Sequence, residues 1–256
     1  MKQALATVII NSEVMPGTYL IWLESPQIAA EAKPGQFVMV SCGEDTLLRR
    51  PLSVHQVDGG KIALLFAIVG KGTRWLSQRQ IGDTIDIFGP LGNGFSVYPA
   101  SRNLLLVAGG TGIAALYFLN QKAIEGRCSV ILLNGTANKH QYTQYYLPAQ
   151  TTLVSATADG SLGLKGMVTD LLPNFINWSD QIFACGPIAM YRDIAQRKRQ
   201  LELEGKPVQI SLEVVMGCGH GVCYGCTIRT KKGLKQVCKD GPVFDLDDII
   251  WEEMES

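Results

Sequence analysis

The sequence predicts a three-part chain of the β plus α/β class. An antiparallel β-barrel is expected over 1–97, a doubly wound parallel sheet over 102–212, and a small cysteine-rich unit over 213–256. Three observations predict it. Short apolar or alternating runs separated by turn signals fill the first part of the chain. Strand-like runs then alternate with helix-like ones. Four of the seven cysteines fall between 218 and 238.

The barrel rests on "QALATVIIN" (3–11), "TYLIWLE" (18–24), "QFVMVSC" (36–42), "KIALLFAIV" (61–69) and "TIDIFG" (84–89), with a further strand start at "LLRRPLSV" (47–54). The turns between them carry "MPG", "KPG", "DGG", "GKG" and "IGD", and no helical pattern intervenes, which suits a small antiparallel barrel. "SVYPASRN" (96–103) reads as a linker.

Beyond it, "LLLVAGGTGIAAL" gives an apolar strand, a glycine turn and a helix start, the helix ending at Gly126. "CSVILLNG" (128–135), "TTLVSAT" (151–157), "QIFACG" (181–186) and "PVQISLE" (207–213) are further strands. A helix is expected over 187–205, with Pro187 suited to its first turn. Alternation of this kind implies a parallel sheet, whose ligands collect at the carboxyl ends of its strands. Gly110, Thr111 and Gly112 would lie there, where backbone N–H groups and a helix dipole suit a pyrophosphate. Cys185, Gly186 and Pro187 would lie beside them. On the glycine turn alone, tight strand–helix packing explains the residues equally well; Cys42 and Cys128 read as packing.

The last cysteines are spaced Cys218-x4-Cys223-x2-Cys226-x11-Cys238. This order is the plant-type [2Fe–2S] arrangement, and glycines at 217, 219, 221 and 225 would let a loop wrap an anionic cluster closely. A structural zinc site is the alternative, but zinc knuckles usually come two and two. His220 reads as a loop residue, since four thiolates complete the ligand set.

Composition bounds the rest. Hydrophobic residues make up 46%, enough for a real core, and 23 basic residues balance 23 acidic ones. That balance gives no electrostatic reason for a nucleic-acid or anionic-membrane partner. No signal-peptide pattern and no apolar run long enough to span a bilayer is present, so a cytoplasmic protein is expected, where reduced thiols favour metal ligation over disulfides.

"RRPLS" and "GKGT" resemble the R-P-x-S and G-x-G-T flavin-binding elements of the ferredoxin–NADP⁺ reductase superfamily. The order of R-P-x-S, G-K-G-T, G-G-T-G-I, C-G-P and the terminal cysteines resembles the electron-transfer subunits of class B, NAD-dependent dihydroorotate dehydrogenases over nearly the whole chain. The resemblance implies FAD, a [2Fe–2S] cluster and NAD(H) as cofactors. It implies that Arg50, within Arg50-Pro51-Leu52-Ser53, pairs with the FAD pyrophosphate and that Ser53 hydrogen-bonds near flavin N5. Leu65, Phe66 and Ala67 would run along the flavin, and Gly72 and Thr73 would meet its phosphates. Gly110, Thr111 and Gly112 would meet the dinucleotide, with Cys185 beside the nicotinamide.

The chain departs from the pattern at Leu52, where relatives often carry an aromatic cover for the flavin, and at Ala67, where they often carry arginine or tyrosine. "NGTANKH" (134–140) lacks the arginine that commonly meets a 2′-phosphate, which favours NAD, while Lys139 leaves NADP open. The implied partner is a flavin-containing catalytic subunit that oxidises dihydroorotate to orotate, in a heterotetramer of two copies of each chain. Subunits of NAD(P)H–ferredoxin reductases, hydrogenases and sulfite reductases share the architecture and remain as alternatives. A zinc-stabilised, non-enzymatic binding protein is the alternative of a different class.

Overall fold

The computed structural model describes residues 1–141 and 147–254. Its N-terminal elements are β1 (Lys2–Met15), β2 (Thr18–Glu24), α1 (Pro26–Ala29), β3 (Phe37–Val40), β4 (Arg50–Asp58), β5 (Lys61–Ala67), α2 (Lys71–Ser77) and β6 (Thr84–Leu91). The six strands pair antiparallel in the order β1-β2-β5-β4-β3-β6 and close into a barrel through β1 and β6. Alternate residues turn inward: Ile21 and Leu23, Ile62 and Leu64, Ile85 and Ile87 are all buried in one core. Burial of each such side chain contributes roughly 1.5–3 kcal/mol.

Arg50 begins β4 with Arg49 just before it, and the two members of the pair part. Arg49 is held by an ion pair with Asp86 of β6. Burial pushes the Asp86 carboxyl up, but Arg49 and Gln3 outweigh it and hold the pKa below the ordinary value. Arg50 keeps its guanidinium against the backbone of Gly72, where a Cβ would stand 2.8 Å from its Nε.

Of the linker expected over 96–103, residues 96–102 cross to the second unit as irregular chain and Asn103 already begins the next strand, yet the crossing is pinned. Gln209 accepts from the Ser96 N–H at 2.9 Å and donates back to the Ser96 carbonyl at 2.9 Å. Gln181 donates to the same carbonyl at 2.8 Å and accepts from the Tyr98 N–H at 3.0 Å. Two buried amides therefore fix the connection to the sheet.

That sheet contains β7 (Asn103–Gly109), β8 (Ser129–Thr136), β9 (Thr152–Thr157), β10 (Leu164–Lys165), β11 (Gln181–Cys185) and β12 (Val208–Ser211), with helices α3 (Ile113–Glu125) and α4 (Ile188–Gln196). Its strand order runs β10-β9-β8-β7-β11-β12, all parallel. The helix expected over 187–205 stops at Gln196. Leu201 and Leu203 are both buried, and residues two apart cannot share one helix face. The chain turns instead, with Glu202 at φ 52°.

The cysteine-rich end forms a hairpin, β13 (Thr227–Thr230) and β14 (Gly233–Gln236), then α5 (Val237–Asp240) and β15 (Val243–Asp245). Strand β15 joins the sheet antiparallel to β12. Cys226, Val237 and Cys238 thereby share an apolar core with Ile210 and Leu212. None of the described helices is long and apolar enough to cross a membrane.

Candidate functional site

The sheet order reverses between β7 and β11, and a crevice opens at the carboxyl ends of such neighbours. Gly110–Gly112 form a single 3-10 turn there that runs into α3. Cys185, Gly186 and Pro187 form the facing turn. The two are in close contact: a Cβ on Gly112 would lie 1.9 Å from the Cys185 carbonyl oxygen, and one on Gly109 would lie 2.9 Å from Pro187 Cδ. Gly112 is thus a packing glycine. Gly110 differs, being exposed, at φ 56°, with open space where a side chain would go.

A cavity of about 920 Å³ lies in front of this turn, at the upper end of the range for small-molecule sites. The barrel contributes Pro51, Leu52, Ser53, Leu65, Phe66, Ala67 and Thr73 to its wall. Thr111 and Ala114 come from the glycine turn and α3, and Gly225 and Cys226 from the cysteine loop. Residues far apart in sequence line one space. Thr73 is buried and organises its own turn, its Oγ1 accepting from the Val69 and Gly70 N–H groups at 3.0 and 3.2 Å. Arg50 and Gly72 stand together beside this turn.

Cys185 reaches the crevice but not the cavity wall, because its side chain is completely buried. Ser211 and Glu213 form the wall in front of it. The thiol lies 3.9 Å from Glu213 Oε1. Burial, and then the Glu213 carboxylate, push the Cys185 pKa well above the ordinary cysteine value, so the thiol is a neutral donor. Burial also raises the Glu213 carboxyl, which is walled in by protein yet open to solvent through the cavity mouth. Tyr191 ties this corner together. Its hydroxyl accepts from the Gly186 N–H at 2.9 Å and donates to the Ser211 carbonyl at 2.6 Å.

Sequence reasoning missed Glu213, Ser211 and Ala114. The first two were within reach, since both end a strand predicted to run parallel into the same crevice. Ala114 has no chemical signal. Glu253 and Met254 also line the cavity, in a segment that Arg192 of α4 holds through the Trp251 and Met254 carbonyls.

Cys223 is exposed, Cys218 half-buried, and Cys226 and Cys238 buried. Backbone donors point at sulfur: the Val222 N–H at Cys218 Sγ, 3.3 Å, and the Cys238 N–H at Cys226 Sγ, 3.4 Å. Burial raises the Cys218 thiol, but the N–H groups of Cys223, His220 and Val222 bring it down to about 6. Burial, and then the neighbouring Cys226, push Cys238 up to about 12. Gly219 and Gly221 take φ of 78° and 84°, and a Cβ on Gly219 would meet Met39 Cγ of the barrel at 2.5 Å. Close seating on the barrel requires glycine there. His220 bonds to the Cys218 carbonyl through Nδ1 at 2.8 Å and packs edge-on against Phe88.

Among the described residues no three metal-donor side chains surround a single point. Thiols with N–H groups directed at two of their sulfurs are the donor chemistry an iron–sulfur cluster takes, and this segment carries both.

Residues 213–250 match the family model described as the iron-sulfur cluster binding domain of dihydroorotate dehydrogenase B. The dihydroorotate dehydrogenase B (NAD(+)), electron transfer subunit of Desulforamulus reducens is 38% identical over 259 residues, covering 96% of this chain and 98% of that protein. Its namesake from Geobacillus thermodenitrificans is 37% identical, covering 95% and 97%. Among solved structures, a chain from an electron-bifurcating NADH-dependent reduced ferredoxin–NADP oxidoreductase superposes with TM-score 0.88 at 32% identity, covering 98% of this chain and 91% of that one. A ferredoxin NADP⁺ reductase from Neisseria gonorrhoeae with bound FAD and NADP superposes with TM-score 0.64 at 19% identity over 78% of this chain and 92% of that one, a likeness of fold. Near-complete mutual coverage by the curated relatives, with the cysteine segment matched in place, shows that the chain belongs to the family of dihydroorotate dehydrogenase B (NAD(+)) electron transfer subunits.

Proposed function

We propose that this chain relays electrons between NAD(H), FAD and a [2Fe–2S] cluster, and exchanges them with a flavin-containing catalytic subunit that interconverts dihydroorotate and orotate. One observation carries the reading: a single cavity is walled by the R-P-x-S strand, the glycine turn of the parallel sheet and Cys226 of the cysteine loop. Two nucleotide sites and a cluster loop meet where electrons would pass.

Bound there, FAD would supply the conversion between a hydride and single electrons, and the cluster would supply a one-electron site. The chain's residues bind, orient and exclude water. Arg50 supplies a fixed positive charge to the FAD pyrophosphate, with Gly72 leaving room for it and Thr73 shaping the turn. Ser53 places a hydroxyl against the flavin edge near N5, and Leu65, Phe66 and Ala67 flank the ring. Leu52 is half-buried against the barrel core and gives the ring an aliphatic neighbour. Gly110 and Thr111 present backbone to the dinucleotide, while Gly112, Gly186 and Pro187 hold the crevice closed behind it. Ser211 and Glu213 form the nicotinamide side of the wall, with Cys185 one layer behind. Cys218, Cys223, Cys226 and Cys238 hold the cluster.

The partner subunit binds on the exposed Cys223 side in a heterotetramer of two copies of each chain. A reducing compartment, the cytoplasm, keeps the four thiols available as ligands. The test is co-expression with the catalytic subunit. Expected are a flavin and iron–sulfur visible spectrum, about two irons per chain, and dihydroorotate-driven reduction of NAD⁺ in preference to NADP⁺. A complex that forms and leaves NAD⁺ oxidised would reject the dihydroorotate assignment.

A second reading keeps the relay and changes the partner. The 32%-identical chain that superposes with TM-score 0.88 comes from a ferredoxin–NADP oxidoreductase. Ferredoxin-driven, dihydroorotate-independent reduction of a pyridine nucleotide would select it.

A further inference from the structure

Strand β4 carries Ser53 to the cavity and then breaks its pairing with β5. Val54 faces Leu64 and Gln56 faces Ala63, so His55 is the extra residue of a β-bulge. Bulges re-aim side chains. This one directs the imidazole away from the ladder and onto α3, where Nδ1 lies 3.1 Å from the Ala114 carbonyl oxygen. The ring also packs on Tyr117, centroids 4.5 Å apart and tilted 42°.

His55 is buried, and burial lowers its pKa to about 4, so the ring is neutral. A neutral imidazole has one N–H, and a carbonyl can only accept. Nδ1 is therefore the protonated nitrogen and donates to Ala114. Among the described hydrogen bonds this one joins a barrel side chain to α3. Around the bond, apolar packing is incomplete: a void of about 10 Å³ is lined by His55, Leu65, Ile113 and Tyr117.

Both ends of the bond lead to the same space. Ser53, two residues before His55, and Ala114, in the first turn of α3, each line the large cavity. We propose that His55 is a positioning residue: its bond to Ala114 sets the gap between the flavin-bearing strand and the nicotinamide-bearing turn, and so the hydride-transfer distance. The inference rests on the relay reading given above. Reacting atoms must approach to about 3–3.5 Å, and an error of about 1 Å can cost 100-fold in rate.

The test uses the full chain loaded with FAD and cluster, comparing His55→Asn, His55→Gln and His55→Phe with wild type. Asparagine keeps an N–H at the δ position, glutamine moves it to ε, and phenylalanine keeps the ring without the donor. Rapid mixing with NADH gives the rate of flavin reduction, and its concentration dependence gives nucleotide affinity. Flavin content is measured beside both. Expected for Gln and Phe is a 10- to 100-fold slower reduction, with affinity and flavin content within about threefold. Asn should restore the rate to within about threefold of wild type. Amide hydrogen exchange of α3's first turn, without nucleotide, should accelerate in Gln and Phe and not in Asn. Loss of flavin or of melting temperature with an unchanged rate per bound flavin would overturn the proposal, as would equal rates in all four proteins. If wild type itself takes up no FAD, the relay reading fails, and the exchange pattern still decides the His55–Ala114 tie.

Discussion

Gly112 and Cys185 are pressed together so closely that a single methyl group on the glycine would stand 1.9 Å from the Cys185 carbonyl oxygen. That contact locks the turn after β7 to the turn after β11 and gives the crevice its floor. Gly112→Ala should destabilise the chain by roughly 1–3 kcal/mol or more, since backbone cannot move aside cheaply. Gly110→Ala meets no atom within 4 Å and carries only the strain of φ 56°, roughly 1–2 kcal/mol. Thermal melts should show the larger fall for Gly112→Ala. NADH titration should show the greater loss of affinity per folded molecule for Gly110→Ala.

Tyr191→Phe removes one oxygen and leaves two buried backbone groups, the Gly186 N–H and the Ser211 carbonyl, without their partner. The expected cost is on the order of 2 kcal/mol. Because those groups frame Cys185 and Glu213, NADH-driven flavin reduction should slow as well. A melt and a rapid-mixing trace on the same sample check both.

The two adjacent arginines should separate in function. Arg50→Ala should weaken FAD retention roughly 10- to 100-fold, the loss of one charge-assisted bond. Arg49→Ala breaks the tie to Asp86 within the barrel and should leave FAD retention unchanged. Flavin fluorescence during dialysis distinguishes them. Equal flavin loss in both would remove Arg50 from the phosphate site.

Much of this was legible in the sequence, and the reason is physical. Period-two runs with glycine turns identify the barrel strands, and the cysteine spacing identifies the cluster loop, because both are local patterns. The carboxyl-end rule brings Gly110–Gly112 and Cys185–Pro187 together without any coordinates. What stayed hidden depends on three-dimensional closure. His55 looks like an ordinary strand residue until the bulge turns it outward. Cys185 falls behind Glu213 because β12 ends level with β11, and no local signal carries that register. β15 is too short to announce itself, yet it seats the cysteine segment on the sheet.

His55 also gives the fold a pH dependence. Its ordinary pKa is 6.5, and burial, partly offset by the bond to Ala114, brings it to about 4 in the folded chain, with Tyr117 the ring packed against it. The unfolded chain takes up a proton below 6.5 that the folded chain refuses until about 4. The stability is therefore complete above the unfolded pKa and is lost as pH falls through that window, by on the order of 3 kcal/mol. Denaturant midpoints across the window should fall more steeply for wild type than for His55→Asn.

In the proposed relay the flavin stands between NAD(H) and a cluster that faces the partner, so with NADH as donor, the reverse of dihydroorotate oxidation, the cluster is the outlet. This central claim is tested most directly by adding NADH anaerobically to wild type and Cys223→Ala, following flavin absorbance and the paramagnetic signal of a reduced [2Fe–2S] centre together. Cys223 is the exposed thiol of the loop and lies outside the flavin wall. Wild type should show flavin reduction and the cluster signal. The variant should reduce flavin within about threefold of the wild-type rate and lose the signal, because only the outlet is removed. Equal loss of flavin reduction and cluster signal would contradict the account and make the loop a structural support.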